Sequence, residues 1–572
     1  MDNLIKKLRS LSYFLKKENL SPGIYFFSAI FILTLLPFIS EHPVIKEIYQ
    51  IQGKSDYSPF NGKTVFLKNN IVTGVSKNGF FIQTPTQRSD NNPETSNGIF
   101  VYTKSKPKVN ICDIVDVKGR VKEFYNLTEI SIHGKPVIKG RIKSLPEFTE
   151  IDLLSAEKNN LEKFEGMLVS IQNLIVTGPS DRFGEAWISH AGKRILSKTS
   201  ESPYSDVRIK IDPDGIGNKN LIFFSGTEIG SVKGVLSYSY GSYKILPVQI
   251  SGIKKRAFSP VRKKRINEFT AASFNLYRMF DTEDAPDKKD PVYSEKKYQT
   301  FLRKRAGYIV KTLLCPDIIA VQEVENISTL EDLSKCIKVI SPKNSYKPFL
   351  INGNDPSGMN IGFLAGNSIK VDSVVQYYKN SVFTWKSKKQ ILFDRPPVAV
   401  FCRPESRKEI KFAVTGVHLR SGVGINSKDS LRIKLKRSKQ LAYLLKLINN
   451  FQNNYRNINL IVTGDFNTVI KSRYFPEQGR NYIREHNHLL FNANSLIQNE
   501  KRYSFIYRGE STCFDYMFIS KNIADCVSKV QFGRGNCDSP ELLTNNPATN
   551  LRASDHDAVV MYLDLKCIGE GR

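Results

Sequence analysis

Several chemistries are disfavoured by what this 572-residue chain lacks. Its eight cysteines, at 112, 315, 336, 402, 513, 526, 537 and 567, never form a Cys-x-x-Cys, which argues against a zinc ribbon. There is no glycine-rich phosphate cradle and no Gly-x-Ser-x-Gly elbow, so a nucleotide-powered reaction and a serine hydrolase are disfavoured as well. Acidic residues are in short supply: 55 Asp+Glu stand against 84 Lys+Arg, a formal net charge of +29. Such a field attracts polyanions and raises their on-rates roughly 10- to 1000-fold. Nucleic acid or an anionic membrane surface is the natural partner, and a generally basic soluble surface is the plainer alternative. With 40% hydrophobic and 24% charged residues the composition is globular. The length is too great for one core and implies two to four domains. Seven of the eight cysteines follow residue 300. An even count permits disulfides in an exported protein, and buried free thiols fit equally well.

Charge is absent from residues 24–39, IYFFSAIFILTLLPFI, while residues 1–20 carry Lys6, Lys7, Arg9, Lys16 and Lys17. A helix of that length spans about 24 Å, and Pro22, Gly23 and Ser40 bring it near the minimum for a bilayer of about 30 Å. Pro37, Phe38 and Ile39 do not make a small-x-small cleavage pattern. Residues 21–40 are therefore expected to be an uncleaved membrane anchor, with a cleaved signal as the alternative. The basic flank 1–20 stays in the cytoplasm and the rest lies outside, periplasmic or extracellular.

Residues 46–255 read as β-rich and contain a repeat. The segment 60–74, FNGKTVFLKNNIVTG, returns at 164–178 as FEGMLVSIQNLIVTG. A second pair is 119–130 with 234–245. Alternation such as Ile114–Val121 suits half-buried strands. Two tandem barrels of the oligonucleotide/oligosaccharide-binding (OB) type are expected, at 46–145 and 150–253. Phe124, Tyr125, Tyr238, Tyr240 and Tyr243 are candidates for stacking on bases, or are cross-strand pairs holding the sheet. Residues 254–265, KKRAFSPVRKKR, read as a basic linker: a solvated charge run or a contact for a phosphate backbone.

Residues 266–567 alternate strand-like and helix-like segments, and the strands run into polar groups. Phe269–Phe274 meets Asn275, Ile318–Val321 meets Gln322-Glu323, Phe412–Val417 meets His418, and Leu460–Val462 meets Asp465 and Asn467. Asp515 stands at the start of Phe514–Ile519, and Ser554-Asp555-His556 opens Ala558–Leu565. One such ending is ordinary; six suggest a single rim where polar ends converge. Glu323 is a hard oxygen ligand suited to Mg²⁺, which would polarise a phosphoryl oxygen. His556 next to Asp555, with Asp515 available as an orienter, gives an imidazole–carboxylate pair, acting as a base or as a charged donor to phosphate. His418 is a second imidazole, and Asn275 and Asn467 are neutral donors for phosphate oxygens. His486 and His488 are read as surface residues rather than a metal site.

The pieces Ser273-Phe-Asn-Leu276, Gln322-Glu-Val-Glu-Asn326, Thr415-Gly-Val-His-Leu419, Gly464-Asp-Phe-Asn467, Phe514-Asp-Tyr516 and Ser554-Asp-His556 stand in one order along 266–567. By these the region resembles the endonuclease/exonuclease/phosphatase family, which includes pancreatic-type deoxyribonuclease and abasic-site endonucleases. The resemblance implies a four-layered α/β sandwich. It makes Glu323 the metal ligand, with Asp555 supporting the metal side. Asp465 and Asn467 then position nucleophile and phosphate, Asp515 pairs with His556, and His418 and Asn275 contact the phosphate. Ile51-Gln-Gly53, Gly79–Gln83, Thr95–Val101 and Phe393-Asp-Arg-Pro-Pro397 are similar to a subgroup of bacterial exported nucleases with an OB-like region before the catalytic domain. Arg395, Asn360 and Arg420 are candidate substrate contacts, although Asn360 stands where relatives often have Asp. The expected activity is metal-dependent phosphodiester hydrolysis of nucleic acid, DNA before RNA, with Mg²⁺ and with Ca²⁺ or Mn²⁺ as alternatives. The same residue set serves relatives that cleave lipid head groups or inositol phosphates, and an inactive surface-binding protein is a third reading.

Overall fold

The computed structural model describes residues 44–132, 134–154, 161–191, 207–213, 221–455, 458–470 and 490–570. The uncharged segment 21–40, its basic flank 1–20, and His486 and His488 lie outside the described residues. No described helix is long and apolar enough to cross a membrane. The chain divides into two compact units, residues 1–146 and 147–572.

The first unit is built on five strands, β1 (Thr64–Val75), β2 (Gly79–Gln83), β3 (Gly98–Tyr102), β4 (Asp113–Glu123) and β5 (Thr128–Ile132). They pair in the order β1-β2-β3-β5-β4 and close into a ring through β1 and β4. Closure pairs β1 directly with β4, and two further short strands, Val44–Ile45 and Val137–Arg141, pair onto β1 and β4 outside the ring. Within the ring only β3 and β5 run parallel. Alternation along β4 explains its two faces: Val115, Val117 and Val121 are buried, while Lys118, Arg120 and Lys122 are exposed. The β4–β5 turn carries Phe124 and Tyr125, and Tyr125 is 80% exposed.

The second unit opens with another ring of five: β6 (Leu168–Gly178), β7 (Ala186–His190), β8 (Ile209–Ile211), β9 (Glu228–Ser239) and β10 (Ser242–Ser251). Its order is β6-β7-β8-β10-β9 with closure through β6 and β9, and β8 and β10 are parallel. The repeat in sequence is thus a repeat in connectivity. Tyr238 and Tyr243 are register partners with rings 5.0 Å apart, so they brace the β9–β10 hairpin, whereas Tyr240 at its tip is 91% exposed.

The basic stretch after this ring is tied in part to the folded unit. Arg256 pairs with buried Asp538, Arg262 with Glu268, and Lys264 with Asp317. Those three cations face the protein's own carboxylates while Lys255, Lys263 and Arg265 are exposed, and the second ring belongs to the same compact unit as the region that follows.

That region is mixed α/β. One sheet contains β11 (Glu268–Met279), β12 (Ile318–Val324), β13 (Tyr346–Leu350), β14 (Asn360–Gly366), β23 (Val527–Phe532) and β24 (Val559–Asp564), in the order β13-β14-β12-β11-β24-β23. The other contains β15 (Ile369–Gln376), β16 (Val398–Pro404), β17 (Lys411–His418), β18 (Ile458–Asp465), β19 (Leu490–Asn492) and β22 (Asp515–Ser520), in the order β15-β16-β17-β18-β22-β19. The central strands β11, β12, β17 and β18 are buried along nearly their whole length because they are covered on both faces. The two sheets meet in one core, where Phe269 of β11 stacks on Phe412 of β17 with centroids 4.4 Å apart. Helices α1 (Glu295–Lys311) and α2 (Ile327–Ile340) bury Phe301, Ala306, Ile309, Leu330, Leu333 and Ile337 against the first sheet. Helix α3 (Ser430–Asn454) buries Leu441, Leu444, Ile448 and Phe451 against the second, a spacing that keeps them on one helical stripe. A two-stranded hairpin, β20 (Phe505–Tyr507) and β21 (Glu510–Thr512), precedes β22. Cys526 and Cys567 form a disulfide, and the other six cysteines are free.

Candidate active site

Strand register brings the polar residues together. Asp465 ends β18, where it is the direct partner of His418 on β17 and of Asp515 on β22. Register partners on neighbouring strands present their side chains to one face, so β17, parallel to β18, and β22, antiparallel to it, deliver His418, Asp465 and Asp515 to one spot. Gly464 makes the approach possible: its φ is +144°, and an added Cβ would collide with the Val417 carbonyl. The other sheet supplies Asn275 and Glu323. The sequence led us to expect these beyond their strands, but both lie within them, at breaks in the ladder. Register shifts between Asn275 and Met279 and between Gln322 and Val324. Glu323 has φ +60°, a bulge conformation that re-aims its carboxylate.

The geometry is tight. Asn275 Nδ2 donates to Glu323 Oε1 at 3.2 Å and to Asp465 Oδ2 at 3.3 Å. The other Glu323 oxygen accepts from the Arg278 amide at 2.9 Å. His418 Nε2 lies 3.6 Å from Asp465 and 3.9 Å from Glu323, and its Nδ1 is buried without a hydrogen-bond partner. His556 Nδ1 is 2.7 Å from Asp515 Oδ2. Ser554 ties this pair to the first sheet, donating to the Asn275 carbonyl at 2.7 Å and accepting from the His556 amide. Asp465 Oδ1 accepts from the Asn467 amide at 2.7 Å, and Asn467 Nδ2 donates to the Leu419 carbonyl.

The electrostatics follow from burial. Burial raises the Glu323 carboxyl, and Asp555 raises it further. Burial likewise lifts Asp465 to about 7, with His556 opposing and Asp515 adding to the rise. His418 is held well below its ordinary value by burial and by the cations of Arg395 and His556, so it is neutral near pH 7. Burial also works against a charged His556, but the Asp515 carboxylate outweighs it and the ring is held well above its ordinary value. The site therefore contains one neutral and one cationic imidazole.

Glu323, His418, Asp465, Asn467, Asp555 and His556 line a cleft of about 1150 Å³, with Arg395 and Arg420 in its wall. Arg395 spends its guanidinium on Asp355 at 2.6 Å and on the carbonyls of His418 and Leu419. Arg420 donates to the carbonyls of Ser421 and Val423. Asn360 is not among the lining residues. Its amide donates to Glu325 and Gly358 and accepts from Gly353, fixing the loop before β14. Sequence reasoning missed Phe505, whose ring lies 4.9 Å from that of His556, and Tyr507, Glu510 and Thr512 in the same wall. The available signal was two short segments separated by Arg508-Gly509, a hairpin turn.

A hard divalent cation suits Glu323 and Asp555. The donors are oxygens, no thiolate lies among them, and the carboxyls of Glu323 and nearby Asp465, both raised by burial, would be relieved by added positive charge. Mg²⁺ needs only one or two carboxylates, since water and phosphate fill its remaining positions. A closer triad exists elsewhere, Cys537, Asp538 and Asp557, with candidate ligand atoms within 4.8 Å of one another. Its carboxylates are already engaged by Arg534, Arg256 and Tyr503, so it reads as a buried ion-pair network.

Residues 270–546 match the family model described as Endonuclease/Exonuclease/phosphatase. The match stops before Asp555 and His556, which the sheet nonetheless brings to the same rim. Residues 158–255 match a model described only as a domain of unknown function. No curated protein matches the chain. Among solved structures, an endonuclease/exonuclease/phosphatase from Bacteroides vulgatus is 14% identical over 52% of this chain and 99% of its own, with a TM-score of 0.34. A humanized D. rerio TDP2 is 14% identical over 52% and 98%, with a TM-score of 0.33. The human Nocturnin catalytic domain, with bound sulfate, is 17% identical over 52% and 95%, with a TM-score of 0.31.

Proposed function

We propose that residues 266–567 form a four-layered α/β sandwich that hydrolyses phosphodiester bonds of nucleic acid with a divalent metal, acting on DNA with little sequence preference. The observation that carries this reading is the meeting of Asp465, the Asp515–His556 pair, His418 and Asn275 at one buried rim. Glu323 and Asp555 would hold the ion, which would offset charge developing on the phosphate. The Asp465 carboxylate, with a pKa of about 7, accepts the proton of the attacking water as its oxygen bonds to phosphorus. The imidazolium of His556, kept charged by Asp515, donates to a non-bridging oxygen as charge builds there. Asn275, Asn467 and neutral His418 hold the remaining phosphate oxygens. The ester P–O bond then breaks, and the leaving oxygen takes a proton from solvent.

Three features support nucleic acid over other phosphodiesters. The net charge is +29. The exposed Lys118, Arg120 and Lys122 are spaced two residues apart along β4 and end at Phe124 and Tyr125, a basic stripe leading to a stacking pair. The two closed rings, read as OB barrels, suit the same ligand. Export through the uncharged N-terminal segment accords with the Cys526–Cys567 disulfide. A C-terminal reporter active only outside the cytoplasm would support it, and cytoplasmic activity would reject it.

The test is product release from plasmid DNA, RNA and sphingomyelin, each with Mg²⁺, Ca²⁺ or Mn²⁺. Hydrolysis of DNA that chelator abolishes is expected. Hydrolysis of sphingomyelin alone would move the protein to the lipid class, and inertness toward all three would leave a surface-binding protein.

A further inference from the structure

The hairpin Phe505–Thr512 forms part of the cleft wall and is gripped at both ends. At its root, the Ser504 hydroxyl accepts from the amides of Phe514 and Asp515 at 3.1 and 3.2 Å, and its carbonyl accepts from the Asp557 amide at 2.8 Å. One residue thus fastens the backbone beside both Asp515 and His556. Phe505 adds its ring, 4.9 Å from His556 and 5.6 Å from Phe514.

At its tip the hairpin is gripped by the second five-stranded ring. Gly509 is buried although it stands at a turn, with φ +74°. An added Cβ there would meet Trp187 Cβ and Thr177 Oγ1 at 2.7 Å, and one on Gly178 would meet Gly509 Cα at 2.9 Å. Two glycines therefore allow the strand β6 and the hairpin tip to touch backbone to backbone. Arg208 closes the contact, donating to the Arg508 carbonyl at 3.0 Å and lying 3.7 Å from Glu510. A second clamp runs beside the first. The Ser225 amide donates to the Asp538 carbonyl at 2.9 Å, and Arg256 reaches both Asp538 and the Tyr503 hydroxyl, just before the hairpin root.

From this geometry we infer that the second five-stranded ring, β6–β10, is a positioning domain for the active site. It holds the hairpin against the Asp515–His556 pair by seating Gly509 on Gly178 and Trp187. The proposal rests on the phosphodiesterase reading for its catalytic half only. The ring's contribution is to keep one wall of the cleft in register with the imidazole, so it acts on turnover even when the substrate is too small to touch the ring. Gly178 and Arg208 are positioning residues, remote from the reacting atoms.

The test uses the full chain with Gly178→Ala and, separately, Arg208→Ala. Gly178 lies within strand β6, and an added methyl would press on Gly509 Cα at 2.9 Å and on the edge of the Trp187 ring at 3.1 Å, the two groups that meet at this contact. Two readouts are taken: hydrogen exchange across residues 503–515, and kcat and KM on bis(4-nitrophenyl) phosphate beside a long DNA. The expected result is faster exchange confined to 503–515. A loss in kcat of about tenfold or more on both substrates is expected with it, as for a slightly misplaced catalytic group. KM for the small diester stays within about twofold, and Arg208→Lys restores part of the loss. Unchanged exchange would overturn the mechanical claim. Faster exchange with wild-type kcat on the small diester, or a loss limited to KM for DNA, would overturn the catalytic one and make the ring a substrate-binding module. A wild-type protein inert toward every phosphodiester would refute the phosphodiesterase reading and the catalytic half with it, while the exchange result would still decide the mechanical half.

Discussion

Replacing His556 and Asp515 singly and together separates two ways the pair can work. The structure sets the scale. Asp515 Oδ2 lies 2.7 Å from His556 Nδ1, and both residues are nearly inaccessible. Unit charges at that distance attract by about 6 kcal/mol at an effective dielectric of about 20. Burying the imidazolium takes back part of this, leaving a few kcal/mol, and each 1.4 kcal/mol or so is tenfold in rate. His556→Ala should therefore lower kcat by about 10²- to 10⁴-fold, the range of a positioned acid or base. Asp515→Asn keeps the size but removes the charge, so the ring titrates lower and is neutral when the phosphate needs a charged donor. The two singles should fall in the same direction, and the double should lose much less than their product, because both disable one unit. The assay is kcat for all four proteins on one plasmid substrate at saturating metal. Fully multiplicative losses would refute the pairing and leave Asp515 and His556 acting independently.

Glu323→Gln should weaken metal binding and regain part of its activity as Mg²⁺ is raised, whereas His556→Ala should not; a metal titration of initial rates compares them. Glu268 gives a pH dependence of stability. Burial alone would raise its pKa, but Arg262, Ser528 and the Arg265 amide lower it to about 2. A depressed carboxyl stabilises the fold above its unfolded pKa, about 4.3, and that contribution is lost as pH falls toward 2. The Tm gap between wild type and Glu268→Gln should be constant at neutral pH and close on acidification across that window. Removing residues 46–145 should chiefly raise KM for DNA and flatten the salt dependence of binding, since fewer counterions are released. An unchanged salt slope would assign that ring another task.

The site residues were largely legible because strand physics is local. A short apolar run that breaks into Asp, Asn or His marks a strand reaching the end of its cover, and six such breaks coincide with the rim that holds Asn275, Glu323, His418, Asp465, Asp515 and His556. The repeat at 60–74 and 164–178 was legible for the same reason, since similar strands close the two rings in the same order. What was not legible depends on partners far away in the chain. Glu323 looked like a residue past its strand, yet the ladder resumes at Val324 and the bulge is visible only from the register with β14. The run KKRAFSPVRKKR looked like a basic linker because Glu268, Asp317 and Asp538, which pair with three of its cations, are not marked in sequence as its partners.

Arg395 and Asn360 show the limit of carrying a role by residue type. A guanidinium beside a phosphate cleft suggests a substrate contact, but this one is enclosed by Asp355 and two carbonyls that hold the end of β17 in place. Such an arginine is committed to holding the backbone at His418 and Leu419. An amide with three backbone partners is likewise committed before any ligand arrives. Phe505 is the converse case. Nothing in SFIYRGEST announces a wall for an imidazole, because the contact depends on Gly509 lying against Gly178, 331 positions earlier in the chain. Most of the candidate site can be read from polar residues at breaks in apolar runs, and the groups packed around it are found only once the sheets, the hairpin and the ring are in place.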